Sequence, residues 1–167
     1  SFGGGLFLPV FAIFSQQVGG DIADAGIAAA IFLLATSFLE WPVGKLLDKY
    51  KEKWFIVIDY FLEALVFLGY IFVVNKWQLF GLQVLLGLAN AIGNPAWESM
   101  FDKHTPNKRS GSSWASSYLY SGCFAALGII IGTFLIDGFG FKIVFVIGSI
   151  FSAVAGTIAL VSIKNKN

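Results

Sequence analysis

The chain has 167 residues, of which 57% are hydrophobic, 17% aromatic and 13% charged; mean hydropathy is +0.78 and the formal net charge +1. So little charge over this length excludes an ordinary soluble domain, and a near-neutral balance with no basic stripe excludes a nucleic-acid footprint. Cys123 is the single cysteine, which excludes an internal disulfide.

A helix crossing the hydrocarbon of a bilayer needs about 20 largely apolar residues. That length predicts six spans, near 2–18, 26–47, 54–74, 77–101, 111–136 and 141–163, as one transmembrane domain. Sustained apolar runs containing Gly and Pro favour helices over the alternating segments of a membrane barrel. The first span carries Gly3, Gly4, Gly5 and Pro9, which suggest a bent helix, and Gln16 and Gln17 near its end. It lacks the positive start and small-residue cleavage site of a signal peptide. The chain opens at Ser1, so a short preceding piece is expected. Asp21 and Asp24 are expected in the loop before the second span.

The second span holds Glu40 beside Pro42, and the third holds Asp59 and Glu63 at i and i+4 on one face. Ionisable groups at membrane depth mark ion or proton coupling sites by default. Two carboxylates without a basic partner are hard to keep charged together in low dielectric. The bland reading of the pair is that Asp59 reaches the lysines of the preceding loop. The fourth span carries Gln83, Gly87, Asn90, Asn94 and Glu98 at spacings of three and four, a single polar stripe. Lipid penalises such a stripe, so it is expected to face a water-filled cavity or to hydrogen-bond a neighbouring helix. On the fifth span Ser113, Ser117, Ser121, Gly128 and Gly132 form a small-residue ridge suited to helix packing, with Tyr118 beside it as a cavity aromatic.

Lys45, Lys49, Lys51, Lys53, Lys103, Lys108, Arg109, Lys164 and Lys166 fall on one side of this topology, and Lys76 and Lys142 on the other. By the positive-inside rule the first side, with both termini, is cytoplasmic. Trp41, Trp54, Trp97 and Trp114 flank that side and Trp77 the other, as interfacial aromatics do.

Between the second and third spans stand Gly44, Leu46, Leu47, Asp48, Lys49 and Lys53. This run resembles the loop pattern of the major facilitator superfamily: Gly, x, Leu, a small or apolar residue, Asp, a basic residue, x, Gly and two basic residues. Lys51 stands where the second Gly is usual, and Glu52 where a basic residue is usual. Gln83 stands where the fourth helix usually has Arg, and the fifth helix keeps glycines without the proline of antiporters. Residues 43–58 also echo residues 131–147, as expected of nested inverted repeats. The resemblance implies an all-α membrane protein, a six-helix bundle of two inverted three-helix repeats like the N-terminal half of a facilitator. It implies a secondary transporter, or half of one, moving a small solute by alternating access against a second six-helix bundle. That bundle is either a second copy or a missing C-terminal half.

On the same resemblance Gly44, Asp48, Lys49, Lys53 and Asp102 form a conformational latch, and Gln83, Asn90, Asn94, Glu98 and Tyr118 line the cavity. Glu40, Asp59 and Glu63 are the coupling groups to test. The expected setting is a bacterial or archaeal plasma membrane, with lipid and solute as partners and no cofactor or metal. A non-transporting assembly or chaperone module on the same scaffold is the alternative. An intramembrane serine protease needs a histidine within the membrane, and His104, the one histidine, is expected in a loop. An enzyme is therefore not expected. Substrate, coupling ion and direction are not legible here.

Overall fold

The computed structural model describes residues 13–105 and 110–164, and these form helices joined by short turns, with no strand among them. Gly3, Gly4, Gly5, Pro9, Lys108, Arg109 and Lys166 lie outside the described residues. The helices are α1 (described over 13–17), α2 (Ile22–Leu47), α3 (Glu52–Tyr70), α4 (Lys76–His104), α5 (Ser110–Phe139) and α6 (Phe141–Lys164). By length and apolarity α2, α4, Gly111–Phe139 of α5 and Phe141–Ile163 of α6 are each able to cross a membrane. Glu52, Lys53, Asp59 and Glu63 within 19 residues give α3 a higher density of charge than these.

Caps set the boundaries, and they correct two expectations. Asp21 and Asp24 are not loop residues, because they close a reciprocal capping box that starts α2 at Ile22 rather than near 26. The Asp24 N–H donates to Asp21 Oδ1 at 2.8 Å and the Asp21 N–H to Asp24 Oδ2 at 3.1 Å. At the far end of α3 the helix stops at Tyr70 rather than near 74, since Asn75 caps the next helix by accepting from the Gln78 N–H at 3.0 Å. Between α5 and α6 the chain reverses at Gly140, whose φ of +78° suits glycine, with its N–H donating to Ile136 O at 2.8 Å.

Helix directions follow from which residues meet. Along α2 and α4 the contacts advance together, Asp24 with Lys76, Ala35 with Gly87, Glu40 with Asn94, so these helices are parallel. Against α3, by contrast, α4 runs backwards, with Gly69 on Leu82, Asp59 on Gly93 and Glu52 on Ser99. The α3–α6 pair is antiparallel too: Tyr70 stacks on Phe145 at 5.2 Å, Ser149 Oγ donates to Ala64 O at 3.0 Å and Ser152 Oγ to Glu63 Oε2 at 2.8 Å. Thus α2, α4 and α6 point one way, α3 and α5 the other. Lys45, Lys49, Lys51, Lys53 and Lys103 gather at one end of the bundle, and Asp24, Lys76 and Lys142 at the opposite end.

The two ends are packed differently. Near Lys76, Phe14, Val66, Phe67, Tyr70, Leu79, Phe141 and Phe145 form a buried aromatic core. Phe14 sits edge-on to Phe145 with centroids 4.9 Å apart. The Lys76 ammonium binds both carboxylate oxygens of Asp24, at 3.1 and 3.2 Å, and ties α2 to α4 there. Toward the basic end the core gives way to polar groups and a cavity.

Candidate functional site

The polar stripe of α4 divides along its length. Gln83 is buried at 3% exposure and Gly87 lies against α2, where an added Cβ would stand 2.9 Å from Phe32 O. This half of the stripe is packing surface, which departs from the expectation that Gln83 lines a cavity. Asn90, half-buried, donates to Leu86 O of its own helix at 3.1 Å. Farther along, Asn94 and Glu98 are exposed, and Asn94 Nδ2 donates to Glu40 Oε1 on α2 at 3.1 Å. Glu40 and Asn94, drawn from two separate sets of sequence candidates, therefore form one inter-helix bridge.

Both helices carry a proline at that level. Pro42 follows Glu40 by two residues and Pro95 follows Asn94 directly, each inside its helix. A proline has no N–H, so each helix gives up one backbone hydrogen bond beside the bridge. The arrangement offers an acceptor carboxylate, an amide and locally weakened helices on one exposed face. Such a face can bind a polar solute or a proton and can bend.

Asp59 and Glu63 are placed elsewhere. Asp59 rests over the backbone of α4 at Gly93, where any Cβ would collide with its carboxylate, and Glu63 accepts the Ser152 hydroxyl of α6. They face the α3–α4 and α3–α6 seams. Among the described residues Asp59 forms no ion pair with the loop lysines. Tyr118 is 68% exposed on α5, its ring 5.7 Å from that of Trp114.

At the basic end the five expected latch residues are not drawn together. Asp48 and Lys49 are exposed beyond α2, and Gly44 has nothing within 4 Å of an added Cβ, so it makes no close helix approach among the described residues. Asp102 Oδ1 accepts from Trp114 Nε1 at 3.1 Å. Among the described residues it pairs with neither Lys49 nor Lys53. The tie between the start of α3 and the end of α4 is made instead by Glu52, which pairs with Lys103 and accepts the Ser99 hydroxyl at 3.3 Å. Sequence reasoning missed this group because Glu52 reads as a flaw in the loop pattern; its place at the first turn of α3, opposite the last turn of α4, was the available signal.

A family model described as Major Facilitator Superfamily matches residues 1–167. The chain is similar to the uncharacterised MFS-type transporter YitZ of Bacillus subtilis, 23% identical over 93% of this chain and 94% of that protein. It is 28% identical to the uncharacterised MFS-type transporter MJ1560 of Methanocaldococcus jannaschii, over 99% of this chain and 44% of the relative. It is also 26% identical to the multidrug resistance protein MdtG of Dickeya zeae, over 86% of this chain and 36% of that protein. The chain thus spans nearly all of YitZ but less than half of the other two.

Proposed function

Because the chain belongs to the major facilitator superfamily, we propose that its six helices form one wall of a secondary transporter, closing a solute cavity against a second six-helix bundle. The observation that carries this reading is the Glu40–Asn94 bridge, a polar link exposed on the shared face of two apolar helices. Bare lipid would penalise that face, whereas an aqueous cavity would not. Alternating access then consists of rocking the two bundles around a site near the middle of the membrane. The second bundle is a further copy of this chain or the other half of a longer protein. The basic end is cytoplasmic, following the excess of lysine there.

Asn90, Asn94, Glu98 and Tyr118 contact solute, Glu40 couples its movement to an ion or proton, and Gln83 serves to pack α4. Asp59 and Glu63 hold α3 to its neighbours. Asp48 and Lys49 act on the second bundle when the cytoplasmic side closes, since both are exposed and neither is in an ion pair among the described residues. Within the bundle, Glu52 and Lys103 keep the end of α4 fixed during that closure. Drug-like solutes, named for the MdtG relatives, are the first class to assay.

The test is solute flux in proteoliposomes with Asp48→Ala. The variant should insert and fold as the wild type does but move solute at least about tenfold more slowly, a loss of roughly 1.4 kcal/mol in transition-state stabilisation. Wild-type flux would remove Asp48 from the closing contact. A wild-type protein that binds partners and moves no solute over a broad panel would favour the assembly-module alternative.

A further inference from the structure

A cavity of about 360 Å³ lies between α3, α4 and α6 at the basic end, apart from the α2–α4 face. Lys53, in the first turn of α3, lines it at the basic end, and Tyr60, Trp97, Met100, Ile158 and Ala159 make up most of its apolar lining. Tyr60 and Trp97 meet edge to face, with ring centroids 6.4 Å apart. At about 1.5 Å rise per residue, Tyr60 lies roughly 10 Å deeper than Lys53 along α3.

Three features identify the occupant. Ile158 lines the cavity and is itself 62% exposed, continuous with the exposed apolar strip of Ile150, Val154 and Val161 on α6, so the opening meets the region where acyl chains lie. The charge at the basic end of the cavity is positive: Glu52 is already held by Lys103 and Ser99, and Lys49, Lys51 and Lys53 form no ion pair among the described residues. Depth and polarity are graded as in a phospholipid, cationic at the surface and apolar about 10 Å below it. We propose that this cavity is a binding site for one anionic phospholipid, with its phosphate at Lys53 and an acyl chain packed against Tyr60, Trp97 and Met100. The site places lipid against the same turn of α3 that bears Glu52, so an occupied cavity buttresses the α3–α4 tie.

Native mass spectrometry of the purified chain, titrated in micelles with phosphatidylglycerol or phosphatidylcholine, tests this. The wild type should retain one phosphatidylglycerol at a concentration about tenfold below that needed for phosphatidylcholine. Lys53→Gln should abolish the preference and Lys53→Arg restore it, while Ala159→Phe, which fills the cavity, should weaken retention of both lipids. Brominated phosphatidylglycerol should quench tryptophan fluorescence in the wild type and less in Ala159→Phe. Equal retention of the two lipids by the wild type, or a preference surviving both Lys53→Gln and Ala159→Phe, would overturn the assignment. So would retention of the lipophilic cation tetraphenylphosphonium in place of phosphatidylglycerol, lost in Ala159→Phe, which would give the cavity to a solute.

Discussion

Gly87→Val is expected to destabilise the bundle by about 3 kcal/mol or more, at the upper end for overpacking a tight contact. A Cβ at this position would stand 2.7 Å from the Ala35 Cβ, 2.9 Å from Phe32 O and 3.1 Å from Thr36 N. Two of those atoms are backbone of α2, so no rotamer change relieves the clash and the helices must separate. Separation strains both polar links of the pair, Lys76 with Asp24 at one end and Asn94 with Glu40 at the other. Gly81, on the same helix with nothing within 4 Å of an added Cβ, is the control: Gly81→Ala should be neutral or slightly stabilising. Thermal melts of the two variants in one detergent decide it, and wild-type melting of Gly87→Val would refute the close contact.

The second large effect is on transport. Glu40→Leu is expected to cut flux at least about tenfold, because it removes the acceptor of the Asn94 amide; interhelical hydrogen bonds are worth roughly 0.6–2 kcal/mol. Asn94→Leu should do the same, and the double variant should be little worse than either single one, since both remove one bridge. Glu40→Gln preserves an acceptor oxygen without the charge. It should keep facilitated flux down a solute gradient and lose accumulation driven by an imposed proton gradient. Driven accumulation by Glu40→Gln at the wild-type level would show that the carboxylate is structural. Additive losses in the double variant would show that Glu40 and Asn94 act separately.

The helical class and the grouping of lysines at one end were legible in the sequence, because long apolar runs and the positions of Lys45 to Lys53 and Lys103 survive any error in helix rotation. What was not legible depends on rotation. One residue turns a helix by about 100°, which separates Asp102, turned to Trp114, from Lys103, which meets Glu52. The same limit split the α4 stripe: spacing puts Gln83 and Asn94 on one line, but only the packing of α2 decides that Gln83 is covered and Asn94 open. Asp21 and Asp24 read as loop residues because a capping box and a polar turn share a composition. The partner of Asp24, Lys76, is remote in sequence and adjacent only through the parallel register of α2 and α4.

Aqueous access to the middle of α4 tests the central claim most directly. Asn90 lies at the midpoint of that helix, roughly 21 Å from either end, and among the described residues its side chain hydrogen-bonds to its own helix at Leu86, so Asn90→Cys breaks no inter-helix hydrogen bond there. On a Cys123→Ser background, a membrane-impermeant maleimide should label Cys at position 90 when added to either face of the membrane, as an alternating cavity requires. Labelling from neither face would place this surface against lipid or protein and contradict the transporter account.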